Sequence, residues 1–182
     1  MPEPLDIDVS FLSRSWLENM LDVEDRCHVA AQAAFDGAGQ SFPGGAEVSI
    51  VLADDEQVRR LNRDYRDQDK ATNVLSFASL DGDDMPAAPA DGAGPVLLGD
   101  IIIAFGVTAS EAETEAKSLA DHLAHLVVHG MLHLLGHDHM EPDEADRMEA
   151  LERDILGRMG IADPYEEPVQ ANDVPTNRAS VS

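Results

Sequence analysis

The segment His129-Gly-Met-Leu-His133-Leu-Leu-Gly136-His137-Asp138-His139 constrains this chain more than any other, because it couples an apolar helix to three imidazoles at separations that one metal ion can gather. His129 and His133 are four residues apart, so on a helix they leave the same face about one turn, roughly 6 Å, apart. Gly136 lets the chain leave that helix through a left-handed residue, which swings His139 back over the same face. Three nitrogen ligands leave a fourth tetrahedral position open, the mark of a catalytic rather than a structural zinc site. The arrangement implies a metal hydrolase.

Six of the seven histidines fall between residues 122 and 139. A buried histidine-rich helix can also use its rings for packing and hydrogen bonds alone, and that reading competes for His122 and His125. Both share the face of His129, since steps of seven and four residues return within about 40°. They are either groups around the ion or substrate, or helix-core histidines. His137 offers an alternative ligand two residues from His139. We favour His139, because a ligand ten residues after His129 is the spacing that three-histidine zinc sites use.

A length of 182 residues is one domain of ordinary size, and no second domain is needed. Cys27 stands alone, so an internal disulfide is impossible and nothing resists a reducing cytosol. The N-terminus is acidic where a secretory signal would be basic, and no apolar stretch is long enough to span a bilayer, so a soluble cytoplasmic protein is expected. The net charge of −24 argues against nucleic-acid binding over most of the surface. Distribution matters more than the total: Arg59, Arg60, Arg63, Arg66 and Lys70 form a basic island among twelve Lys and Arg residues. Such an island is either a phosphate-binding stripe or a solvated helix face.

Along the chain, residues 7 to 12 read as a short strand and 15 to 35 as one amphipathic helix ending at the Gly37-Ala-Gly39 break. Residues 47 to 53 form a β-branched strand, and Asp54 with Gln57 is a capping box that opens a helix to about Tyr65, along which the basic island runs. Strands are expected over 72 to 78 and 97 to 104, the second continuous enough in Leu and Ile to be central. Between them, 81 to 95 is Asp/Gly/Pro/Ala-rich loop. Thr108 with Glu111 and Ser118 with Asp121 mark two helix starts. The helix from Ser118 to about Leu135 is apolar around most of its circumference and therefore buried, so its histidines line an internal wall. Pro142 suits a first helical residue, and a last amphipathic helix runs over 144 to 159.

Several blocks together resemble the YbeY family of bacterial rRNA maturation factors: Leu61-Asn62-Arg63-Asp64-Tyr65-Arg66, Ala71-Thr72-Asn73-Val74-Leu75-Ser76-Phe77, Leu98-Gly99-Asp100-Ile101, the histidine segment, and Asp163-Pro164-Tyr165. The similarity covers roughly residues 7 to 167. It implies an α+β fold, a small mixed sheet packed with helices, in a single domain over 1–168 with the zinc-binding helix in the cleft and a disordered tail over 169–182. It implies one Zn2+ ion on His129, His133 and His139, and a catalytic or RNA-binding role for Arg66. The implied activity is single-strand-specific endoribonuclease in 16S rRNA 3′-end maturation and ribosome quality control. Expected partners are single-stranded rRNA and the small ribosomal subunit, with basic ribosomal proteins and assembly GTPases beside them, and no membrane. Two departures stand out: His137 replaces the Tyr usual in the family, and the 81 to 95 loop is longer than typical.

A metal held this way serves phosphodiester cleavage by activating water or by acting as a Lewis acid on a phosphoryl oxygen. Two rival readings remain. A metzincin-like metalloprotease has the same ligand and glycine spacing, but position 130 is Gly where a zincin places its general-base Glu. A non-catalytic ribosome assembly factor would use the metal to pin the core and its 36 Asp and Glu residues to meet basic ribosomal proteins. Asp138 and Asp100 are candidates for orienting a ligand ring or accepting a proton; each is equally explained by local structure.

Overall fold

Apolar residues at alternate positions build four strands in this chain, and apolar stripes at helical spacing cover them. The computed structural model describes residues 4–79, 94–137 and 141–165. Within them the order is β1 (Leu5–Phe11), α1 (Ser15–Asn19), α2 (Val23–Ala38), β2 (Ala46–Ala53), α3 (Asp55–Arg66), β3 (Val74–Ala78), β4 (Val96–Ala104), α4 (Phe105–Thr114), α5 (Leu119–Leu134) and α6 (Pro142–Arg158). The sheet order is β1-β2-β4-β3, with β1, β2 and β4 parallel and β3 antiparallel to β4. This is the mixed sheet packed with helices that the resemblance implied. Most of the 81 to 95 loop, the 169–182 tail, Asp138 and His139 lie outside the described residues.

The two faces of the sheet are covered differently. Val48, Ile50 and Leu52 of β2 and Leu98, Ile101 and Ile103 of β4 point into the main core, shared with α2, α5 and α6. The alternate residues Ala53, Ile102 and Ala104 meet Leu75 of β3 and Val58 of α3 on the other face. Burial on both sides makes β4 a central strand, as its continuous Leu and Ile content requires.

Helix α5 is the core of the main layer. Leu123, Leu126, Val127, Val128, Met131, Leu132 and Leu134 are all buried, each contributing on the order of 1.5–3 kcal/mol by leaving water. It lies tight against the sheet at Gly130, where an added Cβ would lie 2.9 Å from Cγ2 of Ile101. The glycine thus serves packing, and the position of a zincin's general base is filled by the sheet.

Three local expectations change. The helix expected over 15 to 35 is two helices: Met20 is extended (φ −155°, ψ 99°), which lets Trp16 sink beneath the end of β2 and donate Nε1–H to the Ala53 carbonyl at 3.0 Å. A continuous helix would not place both Trp16 and the Cys27–Ala31–Ala34 stripe in the core; the corner leaves Leu21 91% exposed. The second half runs through Gly37 and ends at Gly39 (φ 68°), because Gly37 is where Ile155 of α6 packs, 2.6 Å from a would-be Cβ. Finally, α4 starts at Phe105, not at Thr108: Asp55 of α3 accepts the Val107 N–H at 3.0 Å, and Thr108 turns inward to bond the Ala104 carbonyl. The capping box of Asp54 with Gln57 and the Ser118 cap of α5 are present as read from sequence.

Gly130→Glu forces a carboxylate against Ile101, combining overpacking with charge burial, and should cost more than about 3 kcal/mol or abolish folding. Urea unfolding checks it; a variant as stable as the parent would contradict the close contact.

Candidate metal centre

Because α5 is apolar on its other sides, its polar groups fall on one stripe: His122, His125, His129 and His133, at steps of three, four and four residues. At the N-terminal end, His122 is 3% exposed and its Nε2 lies 2.9 Å from Oε1 of Glu111 on α4. That oxygen also accepts from Nδ2 of Asn73 at 2.9 Å, and Oδ1 of Asn73 takes the Val74 N–H. His122 therefore ties α5 to α4 and to the start of β3, the packing role that competed for it.

One turn on, the stripe meets a buried carboxylate. Glu152 of α6 has no exposed surface. Its Oε2 lies 2.8 Å from Nε2 of His125, and its Oε1 lies 3.3 Å from Nδ1 of His129 and 2.8 Å from the Tyr165 hydroxyl, which donates to it. Burial pushes the Glu152 carboxyl upward, but the hydrogen bonds from His125 and His129 outweigh it and hold the group down at about 2. Burial and the adjacent Glu152 charge raise the Tyr165 hydroxyl above its ordinary range, so it remains a donor. His125, His129 and Glu152, with ligand atoms within 4.8 Å of one another, are a group that could hold a metal ion.

The other nitrogen of His129 faces the next turn. Its Nε2 lies 3.1 Å from Nε2 of His133, close to the roughly 3.3 Å between two nitrogens that share a tetrahedral ion at about 2.0–2.1 Å. Of the three ligands expected, the fold brings these two together, while His139 lies outside the described residues. The exit runs through Gly136 at φ 97°, with the His137 N–H bonded to the Leu132 carbonyl at 2.9 Å. Asp100 is placed away from the histidines of α5. Its neighbour Ile101 packs beneath Gly130, so strand alternation sends Asp100 to the opposite face, where it is exposed.

The basic island is largely neutralised by its own carboxylates. Arg59 pairs with Glu56 and Asp69, Arg60 with Glu56, and Arg63 with Asp64. Among the described residues Lys70 has no such partner, and neither does Arg66. Its Nη2 donates to the Ser76 carbonyl at 2.6 Å, and its guanidinium lies 5.1 Å from the centre of the Phe77 ring. Tyr65, 71% exposed, meets the same ring edge-on at 5.8 Å.

From the sequence Glu111 was legible only as a helix-start residue, Tyr165 only as part of a family block, and Glu152 did not stand out. Glu152 left a signal: α6 buries Met148, Glu152, Ile155 and Leu156, so a carboxylate occupies an apolar stripe. The sequence profile described as endoribonuclease YbeY matches residues 15–160. This chain belongs to the YbeY endoribonuclease family. A YbeY endoribonuclease of Paramagnetospirillum magneticum is 52% identical over 167 residues, covering 92% of this chain and 99% of its own. One of Azorhizobium caulinodans is 48% identical over 166 residues, covering 91% and 99%. A Thermotoga maritima protein solved in solution aligns over 88% of this chain and 99% of its own at 20% identity, with a TM-score of 0.46. The YbeY blocks seen in the sequence now have physical partners: Asn73 braces Glu111, Arg66 lies on Phe77, and Tyr165 reaches Glu152.

Glu111→Ala removes the acceptor shared by His122 and Asn73 and should destabilise the fold by about 1–3 kcal/mol. Denaturant unfolding reads this out, and unchanged stability would contradict the structural role given to His122.

Proposed function

We propose that this chain is a zinc-dependent, single-strand-specific endoribonuclease that acts in 16S rRNA 3′-end maturation and ribosome quality control, with His129, His133 and His139 as ligands of one ion. The observation that carries the reading is the pair of Nε2 atoms 3.1 Å apart on a buried helix of a YbeY-family chain. Imidazole nitrogens in a largely apolar wall suit zinc. When bound, zinc there supplies Lewis-acid polarisation and lowers the pKa of water. The chain's own residues do the rest: α5 fixes the ring spacing, and the buried wall behind it excludes solvent from one side.

Arg66 is proposed to hold the phosphate and offset charge that builds in the transition state. It suits that task because its guanidinium is oriented by Ser76 and Phe77 and is not spent on a carboxylate among the described residues. Tyr65 adds an exposed ring beside it, and exposed aromatics are how single-stranded RNA is gripped without sequence readout. A duplex would keep its bases from that ring. Proteolysis is disfavoured because Gly130 and Ile101 leave no room for a zincin glutamate. Small-subunit rRNA is the proposed substrate, basic ribosomal proteins and assembly GTPases the proposed partners, and the cytoplasm the proposed location. No helix among the described residues is long and apolar enough to cross a membrane.

The test is metal analysis together with cleavage of a defined single-stranded RNA. Arg66→Ala should keep its zinc and lose about 10²–10³-fold in cleavage rate; unchanged cleavage would remove Arg66 from the mechanism. Tyr65→Ala should weaken single-stranded RNA binding by about 1–3 kcal/mol, measured by fluorescence anisotropy, and unaltered affinity would exclude stacking at this position. His133→Ala should lose both metal and cleavage, and full cleavage by metal-free protein would overturn the reading.

A further inference from the structure

A carboxylate without solvent contact is costly, by several kcal/mol, unless its lone pairs are satisfied. Glu152 meets that condition with three donors from two segments: His125 and His129 of α5, and Tyr165 beyond α6. Tyr165 is in turn fixed. Its N–H bonds Oδ1 of Asp163 at 2.8 Å, Arg153 bridges to Asp163 at 3.1 Å, and the Arg153 guanidinium lies 5.2 Å from the centre of the tyrosine ring. The end of the described chain is thus folded back as a brace behind Glu152.

We propose that Glu152, held in place by Tyr165 and His125, is the positioning residue for His129, keeping that ring in its Nδ1–H form and turning Nε2 toward His133. This rests on the zinc reading above. An ionised carboxylate only accepts, so the His129 nitrogen facing it carries the proton; a neutral imidazole has one N–H, and its lone pair is therefore on Nε2. In the metal-free pair, His133 then donates Nε2–H to Nε2 of His129 across the 3.1 Å gap. The same logic places a proton on Nε2 of His125, whose Nδ1 is buried without a hydrogen-bond partner. His125 is committed to Glu152 through Nε2, and its other nitrogen is sealed off. For the His125–His129–Glu152 group to hold an ion directly, it would have to give up these hydrogen bonds. Glu152 therefore acts on the metal through His129.

The test uses the full chain, Zn2+ as the probe, and two readouts. Competition against a chelator should show Glu152→Gln binding zinc about 10–100-fold more weakly than the parent, because the neutral amide is a weaker acceptor and has one oxygen where the carboxylate offers two to its three donors, while His133→Ala loses the site altogether. Nitrogen-15 spectra of the metal-free parent should show His129 protonated on Nδ1, and Glu152→Gln should shift that population toward Nε2–H, which a merely structural residue would not do. Parent-like zinc affinity together with a parent-like His129 tautomer in Glu152→Gln overturns the proposal. So does loss of zinc as complete as in His133→Ala, since Glu152 would then be a ligand. Should Glu152→Gln fail to fold, the parent spectrum decides, and an Nε2–H form of His129 refutes the role. A parent that binds no zinc sinks the zinc reading, and the tautomer in that same sample still decides the positioning claim.

Discussion

A helix packed on nearly every side has one stripe left for polar groups, and the chemistry of this protein follows from that constraint on α5. Gly130 lets the helix lie against Ile101 of the central strand, while Leu123, Val127, Val128, Met131 and Leu132 commit the rest of its surface to the core. Rotation of the helix would expose that surface, at on the order of 1.5–3 kcal/mol for each large side chain. The histidines consequently have no freedom of direction. Their neighbours are set by what packs over the stripe: α4 brings Glu111 to His122, and α6 brings Glu152 to His125 and His129.

Charge is organised on the same principle of local pairing. A net charge of −24 opposes long-range attraction of a polyanion over most of the surface. The arginines of α3 do not form an open phosphate stripe, since Arg59, Arg60 and Arg63 are each matched to a carboxylate. What remains is a small composite of Arg66, Phe77 and Tyr65, in which a cation and an exposed ring are oriented together. Such a patch offers geometry and stacking more than field, which is the basis for proposing a single strand over a duplex as its ligand.

The elements with strong period or cap signals were legible in the sequence: the Asp54–Gln57 capping box, the Ser118 start of α5, the central position of β4 and the left-handed exit at Gly136 all appear where the residues indicate. The misread positions share a cause in tertiary contact. The corner at Met20 exists because Trp16 reaches Ala53, α2 passes through Gly37 because Ile155 packs there, and α4 needs no Thr108 cap because Asp55 arrives from α3. None of these partners is near in sequence. At the site, the adjacency of His129 and His133 was legible because their spacing lies within one helix; the contacts of Glu152, 23 residues from His129, and of Tyr165 were not. The clue to Glu152 was a polar residue in an apolar stripe, and pattern counting treats it as noise.

The central claim concerns which nitrogens meet the ion, and an anomalous difference map at the zinc edge from crystals of the loaded full-length chain tests it most directly. The account predicts a single peak about 2.0–2.1 Å from Nε2 of His129, His133 and His139, with Glu152 bonded to Nδ1 of His129 and away from the ion. A peak seated between His125 and Glu152, or no bound zinc under saturating conditions, would contradict it.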